Sequence, residues 1–224
     1  MSRTSANPWR PEKKYRSRAA VMPWVKKIDQ ALYGLEVHIC GSWRRQAPRI
    51  GDLDVVVVTE DGTLPALLPF LVADFITFDR GGPSLMNGSI ELEDGPLNVD
   101  FYAAKPEQRG GFLWFLTGPK NLNIQMRATA MSQGRILNQY GLFAADETQI
   151  DMGTETHIAQ LLGYEHALEP ARRERWAEPR PAVTKAVTSS DGTKTYTVTI
   201  DGDKRSCTCP GFMYRRKCRH IKEV

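Results

Sequence analysis

Read for the spacing of hydrophobic and polar positions, the chain opens with a helix, runs through several strands, passes into a pair of helices and closes with a β-rich tail. From about Arg18 to Tyr33 the apolar positions Ala20, Val21, Trp24, Val25, Ile28, Ala31 and Leu32 recur at helical spacing, and Gly34 marks the end. Glu36 to Cys40 is apolar and β-branched enough for a buried strand, and Gly41-Ser42 then turns the chain into a short helix. Val55 to Val58 bury a second strand that starts at Asp52. After the turn at Asp61-Gly62, Leu64 to Val72 reads as a short helix beginning around Pro65, and Phe75 to Phe78 as a strand. Residues 84–93 and 96–104, joined at Asp94-Gly95, read as a hairpin.

A helix opened by Pro106 runs toward Leu116 despite Gly110-Gly111, and Thr117-Gly118-Pro119 breaks it. A second helix covers about Lys120 to Gln133, with Leu122, Met126 and Ala130 facing inward and Ala128 beside them. Asn123 and Arg127 lie four apart and share a face, an arrangement suited to two polar side chains entering one groove of a duplex. Shorter helical pieces are expected near Thr156 to Leu162 and Pro170 to Trp176. Val183 to Ile200, rich in Thr and Val around Ser189-Ser190-Asp191-Gly192, reads as a β-hairpin.

Length allows one ordinary domain plus a small module in 224 residues. No apolar run reaches the roughly 18 to 20 residues that span a bilayer, and Met1-Ser2-Arg3-Thr4-Ser5 lacks the apolar core of a secretory signal, so a soluble intracellular protein is expected. The net charge of +4 hides an uneven distribution. Residues 1–50 carry 11 Lys/Arg against 3 Asp/Glu, residues 51–100 carry 1 against 10, and the tail from 201 carries 7 against 3. An acidic centre that needs divalent cations, between basic ends that can hold a phosphate backbone, suits a nucleic-acid enzyme.

The acidic centre contains Asp52-Leu53-Asp54, two carboxylates on one face of a strand, where hard oxygen ligands can share Mg²⁺. Taken alone, Asp-x-Asp at a strand start is more often a solvated turn; Gly41-Ser42 before it, with backbone N–H groups able to hold phosphate and Arg44 and Arg45 beside them, changes the reading. Leu97-Asn98-Val99-Asp100-Phe101-Tyr102 alternates, which places Asp100 on the polar face of a half-buried strand. Four cysteines are too few for a disulfide scaffold. Cys40 reads as a small buried hydrophobe, whereas Cys207, Cys209, Cys218 and His220 supply the tetrahedral set that one structural Zn²⁺ prefers.

Gly-Ser, about ten residues, then Asp-x-Asp resembles the nucleotidyltransferase superfamily. With Arg44-Arg45, Gly51, Phe115-Leu116-Thr117-Gly118, Asn123, Met126-Arg127 and Leu137 to Phe143 also in place, the chain is similar to the family X DNA polymerases, the DNA polymerase beta group, over roughly residues 15–175. The tail resembles the SWIM zinc finger in its Cys-x-Cys and Cys-x-His order. The resemblance implies an α+β fold: a nucleotidyltransferase palm of mixed sheet and flanking helices, a small thumb-like subdomain and a small β-hairpin zinc finger. The expected divisions are a basic flexible arm at 1–14, palm with nucleotide- and template-binding helices at 15–143, a small last polymerase subdomain at 144–178, and linker with finger at 179–224.

By the same resemblance, Asp52, Asp54 and Asp100 hold two Mg²⁺ (or Mn²⁺) ions. Gly41, Ser42, Arg45, Gly51, Phe115, Gly118 and Asn123 meet the incoming deoxynucleoside triphosphate, with Arg44 the weaker choice. Arg127, Asn138 and Tyr140 meet the DNA template. Leu116 stands where the family usually has a second aromatic, and Asn98 where it often has a basic residue, so sugar discrimination and the contact with the primer terminus depart from the pattern. The implied function is a DNA-directed DNA polymerase that fills short gaps in repair. Template-independent terminal transfer and a catalytically silent DNA-binding protein are the alternatives. Because about fourteen residues precede the resembled region, no lyase domain is expected, and small size with a fused finger suggests viral or phage origin. The finger is expected to bind DNA or a protein partner.

Overall fold

The computed structural model of the chain describes residues 14–151, 153–177, 183–201 and 204–222. All but the last residue of the expected arm, and the linker around Pro179 and Pro181, lie outside the described residues. The chain divides into two compact units, Met1–Ala177 and Glu178–Val224.

The first unit begins with a two-residue strand β1 (Arg16–Ser17) and helix α1 (Arg18–Ala31), capped by the Ser17 hydroxyl, which accepts from the Ala20 N–H at 3.2 Å. There follow β2 (Glu36–Ile39), the four-residue helix α2 (Gly41–Arg44), β3 (Arg49–Ile50), β4 (Asp52–Val58), the four-residue helix α3 (Leu68–Leu71), β5 (Thr77–Gly82), β6 (Leu85–Ile90) and β7 (Leu97–Ala104). β1 pairs with β3. The main sheet has the order β2-β4-β7-β6-β5, with β4 and β7 parallel and every other pair antiparallel.

β4 and β7 are central, and both faces of them are covered. Leu53, Val55 and Val57 of β4 and Val99, Phe101 and Ala103 of β7 face a core shared with Val21, Val25 and Ile28 of α1 and Leu68 of α3. Val56, Tyr102 and Ala104 face the other way, onto Cys40, Phe112 and Leu113. This explains the unbroken Val55 to Val58 run, since a strand buried on both faces need not alternate. It also corrects the half-buried reading of β7: Asp100 is only 5 % exposed. β2, expected to be buried, is instead the sheet's edge strand, with Glu36 exposed and the rest half-buried. The helix expected from Leu64 is confined to α3, and the strand expected from Phe75 begins at Thr77.

After a 3-10 turn at Pro106–Gln108 come α4 (Arg109–Thr117), α5 (Lys120–Ser132), the hairpin β8 (Ile136–Asn138) with β9 (Gly141–Phe143), α6 (Glu155–Leu162) and two further 3-10 segments, Glu165–Ala167 and Pro170–Trp176. Trp114, Leu122, Met126, Ala130, Leu142, Ile158 and Leu162 make one core here, so the division expected at residue 143 falls inside it. Ala128 is exposed rather than inward. The Gly110-Gly111 pair in α4 is a packing device: a Cβ on Gly110 would stand 2.4 Å from the Thr154 backbone, and one on Gly111 2.5 Å from the Gly141 nitrogen.

The second unit is a three-stranded antiparallel sheet, β10 (Val183–Thr188), β11 (Thr195–Asp201) and β12 (Lys204–Cys207), followed by α7 (Pro210–Arg215). Its small core is Val198, Cys207, Cys209 and Phe212. Among the described residues no helix is long and apolar enough to cross a membrane.

Candidate active site and metal centre

The parallel pairing of β4 with β7 sets Asp54 directly opposite Asp100 and Asp52 opposite Asn98. All three carboxylates therefore leave the sheet on the face that carries Val56 and Tyr102 further along. Asp100 is oriented by Asn87 of β6, its partner in the antiparallel ladder, whose Nδ2 donates to Asp100 Oδ1 at 2.8 Å. Asp54 is approached from the other side by the turn into α2: the Cys40 N–H donates to the Asp54 carbonyl at 2.7 Å, and a Cβ on Gly41 would stand 2.7 Å from Asp54 Oδ2. Gly41 also has φ +61°, a conformation open to glycine at little cost.

Ser42 is 8 % exposed, and its Oγ is buried with no hydrogen-bond partner among the described residues. Buried hydroxyls are almost always paired, so this one is left with both its donor and its lone pairs to offer a bound group. Trp43 is held by Arg18, whose guanidinium carbon lies 4.0 Å from the ring centroid and whose NH1 donates to the Trp43 carbonyl at 2.7 Å. Gly51 is buried between β3 and β4.

Arg45 is buried, with Nε donating to Glu174 Oε2 at 2.8 Å and NH1 donating to the Thr117 carbonyl. Arg44 reaches the same region: NH1 donates to Thr117 Oγ1 at 2.8 Å and to Glu155 Oε1 at 2.9 Å, while NH2 pairs with Glu155 Oε2. Arg173, fully buried over the Trp114 ring, donates to the same Glu155 at 2.9 Å. Glu155 thus joins two guanidinium groups from opposite ends of the first unit. Glu155, Glu174, Arg173 and Asn87 are the residues that sequence reasoning missed, while Thr117 was seen only as part of the Phe115 to Gly118 motif. Only Asn87 left a signal, because a hairpin centred near Asp94-Gly95 brings it close to Asp100 in register.

The other expected site residues fall on α4, α5 and the β8–β9 turn. Asn123 Nδ2 donates to the Phe115 carbonyl at 2.7 Å, which ties the start of α5 to the end of α4. Gly118, at φ +58°, precedes a cis peptide to Pro119. Arg127 is exposed on α5, one turn beyond the half-buried Asn123. Asn138 spends its side-chain oxygen on the Tyr140 N–H at 2.8 Å, closing the turn, and the Tyr140 ring meets Phe112 edge-on at 5.6 Å. Tyr102, Lys105, Phe112, Phe115, Leu116 and Tyr140 are among the residues that line a cavity of about 440 Å³, to which none of the three carboxylates contributes.

In the second unit, one ligand atom from each of Cys207, Cys209, Cys218 and His220 lies within 4.8 Å of the others, and this is the one such group of three or more found among the described residues. Cys207 Sγ lies 3.7 Å from His220 Nδ1, and His220 Nε2 is buried without a partner. The backbone helps: the Phe212 N–H donates to Cys209 Sγ at 3.4 Å and the Cys209 N–H to Cys207 Sγ at 3.5 Å. Burial alone would raise the Cys209 thiol, but the Phe212 N–H and the neighbouring His220, Cys207 and Cys218 bring it down to about 7. Burial pushes Cys207 up to about 11. Three sulfurs and one imidazole at this spacing fit tetrahedral zinc. The three carboxylates, all hard oxygen donors on one face, fit magnesium by ligand type.

Comparison with known proteins agrees with this layout. The family model for the DNA polymerase beta palm matches residues 11–77, that for the DNA polymerase beta thumb residues 112–174, and that for the SWIM zinc finger residues 196–222. Curated relatives include the Repair DNA polymerase X of African swine fever virus, isolate Tick/Malawi/Lil 20-1/1983, and that of strain Badajoz 1971 Vero-adapted. Each is 27 % identical over 136 residues, 59 % of this chain and 78 % of the relative. The chain therefore carries segments that match the palm and thumb of DNA polymerase beta and a C-terminal SWIM zinc finger, and it is similar to a family X repair polymerase.

Proposed function

We propose that this chain is a DNA-directed DNA polymerase that adds deoxynucleotides to a primer 3′-hydroxyl and fills short gaps in repair. The observation that carries the reading is the parallel register of Asp54 with Asp100, on the face where the Gly41 backbone closes over Asp54. The relatives' name, Repair DNA polymerase X, supports the same chemistry. Asp52, Asp54 and Asp100 would hold magnesium, which when bound neutralises phosphate charge and acts as a Lewis acid. Asn87 keeps Asp100 oriented, so that this carboxylate helps to activate the 3′-oxygen.

Ser42 and Arg45, with the Gly41 and Gly51 backbone, would hold the β and γ phosphates; the partnerless Ser42 hydroxyl supports a phosphate acceptor there. Phe115, Gly118 and Asn123 would seat the sugar and base of the incoming nucleotide, and Arg127, Asn138 and Tyr140 the template. The basic finger would add DNA affinity through its phosphate contacts.

The test is extension of a labelled primer on gapped, recessed and single-stranded DNA, one deoxynucleotide at a time. Incorporation of the templated base alone, favoured on the gap, is expected. Asp54→Ala should abolish incorporation and keep DNA binding. Equal addition of every nucleotide to the single strand would instead make the chain a terminal transferase, and retained DNA binding with no addition would leave only a binding protein.

A further inference from the structure

The short helix of the finger shows one side to its core and leaves the other uncovered. α7 turns Phe212 inward against Val198, Cys207 and Cys209. Met213 and Tyr214, the next two residues, are 63 % and 88 % exposed, and Tyr214 has neither a hydrogen-bond nor a ring partner among the described residues. Arg215, Arg216, Lys217, Arg219 and Lys222 follow, all exposed, and the sequence holds no carboxylate from Cys209 to Lys222.

A second observation is independent of charge. Arg216 ends α7 in the left-handed conformation, at φ +55° and ψ +19°, the position that helices most often give to glycine. A side chain there is strained, it ligates no metal, and among the described residues it makes no hydrogen bond or ion pair. Strain kept at a residue with no structural partner points to a use for the side chain outside the fold.

We propose that Tyr214 and Arg216 form a binding surface for single-stranded nucleic acid, the ring stacking on an unpaired base and the surrounding cations meeting the phosphates. Duplex DNA would engage the cations but leave Tyr214 and Met213 without a partner, because its base faces are already stacked. An unpaired strand offers both a base face and phosphates within reach of a helix only about 9 Å long. The inference rests on the polymerase reading and deepens it, by naming the unpaired template strand as what the finger takes.

The experiment uses the zinc-loaded full chain and fluorescence anisotropy, at several salt concentrations, on an oligonucleotide of about twelve residues, its blunt duplex and a tailed duplex. Wild type is expected to bind the single strand and the tailed duplex more tightly than the blunt one. Tyr214→Ala should weaken the first two roughly tenfold and leave the blunt duplex nearly unchanged, and Tyr214→Phe should restore binding. Arg216→Gly should weaken binding and flatten its salt dependence without lowering zinc content or melting temperature, since glycine takes that backbone freely. Equal wild-type affinity for single strand and blunt duplex, unchanged binding by Tyr214→Ala, or capture of an acidic peptide without any oligonucleotide would overturn the proposal. Failure of the polymerase reading would look different: single-strand preference intact, and no primer extension on any substrate.

Discussion

A Cβ on Gly41 would sit 2.7 Å from the Asp54 carboxylate, so any larger residue there must push that carboxylate aside. Gly41→Ala is expected to lower single-nucleotide incorporation by about a hundredfold, because the carboxylate must move by an ångström or so. It should cost about 1–2 kcal/mol of stability from the left-handed backbone, read in a urea titration. Cys40, immediately before it, is a fully buried thiol that desolvation holds at about 12. A thiol titration at pH 8 of the chelator-treated protein, its first unit still folded, should therefore count three reactive cysteines, the finger's, and find Cys40 only after denaturation. Residues of this kind were legible because their chemistry imposes a spacing: Asp-x-Asp on a strand, Cys-x-Cys and Cys-x-His around a metal. Glu155 and Glu174 were not, since Arg44 and Arg45, which they hold, lie 111 and 129 positions away. Nothing local distinguishes a glutamate that closes such a pair from one in water; Glu155 in particular reads as an ordinary first-turn acid after the Thr154 cap.

Among the elements, α1, α5 and the β6–β7 hairpin follow from periodicity and turn chemistry, and the structure has them within a few residues of where those signals put them. Where the reading of burial failed, on β2 and β7, the cause is position in the sheet. A short run that mixes apolar and polar residues serves an edge strand or a central one, and only the pairing partner decides. α4 teaches the reverse point: its two glycines, read as a weakness, are what let the helix lie against the backbone of Thr154 and Gly141. Gly111→Ala should destabilise the first unit by about 1–3 kcal/mol through overpacking, although alanine is the better helix former in isolation. Thermal unfolding followed by circular dichroism would show the sign.

For the whole molecule, the Arg44–Glu155–Arg173 cluster binds the turn after β2 to the last 3-10 segment of the same unit. Glu155→Ala leaves two guanidinium groups enclosed without their carboxylate and is expected to cost about 3–5 kcal/mol, while Glu155→Gln, which keeps a hydrogen-bond acceptor, should cost less. Denaturant unfolding of both variants checks the order. In the second unit, zinc removal by a chelator should unfold the finger and leave the first unit's circular dichroism in place, because the small finger core contains two of the metal ligands.

The parallel pairing of β4 with β7 also has a consequence for how the chain comes to be active. Asp54 and Asp100 are brought side by side from 46 positions apart, with β5 and β6 in the intervening chain and β6 paired to the other edge of β7. Contacts of such long range are among the slow ones to form. In refolding from denaturant, helical signal from α1 and α5 should return early and nucleotidyl transfer last, so that a newly made chain is structured before it is able to alter DNA.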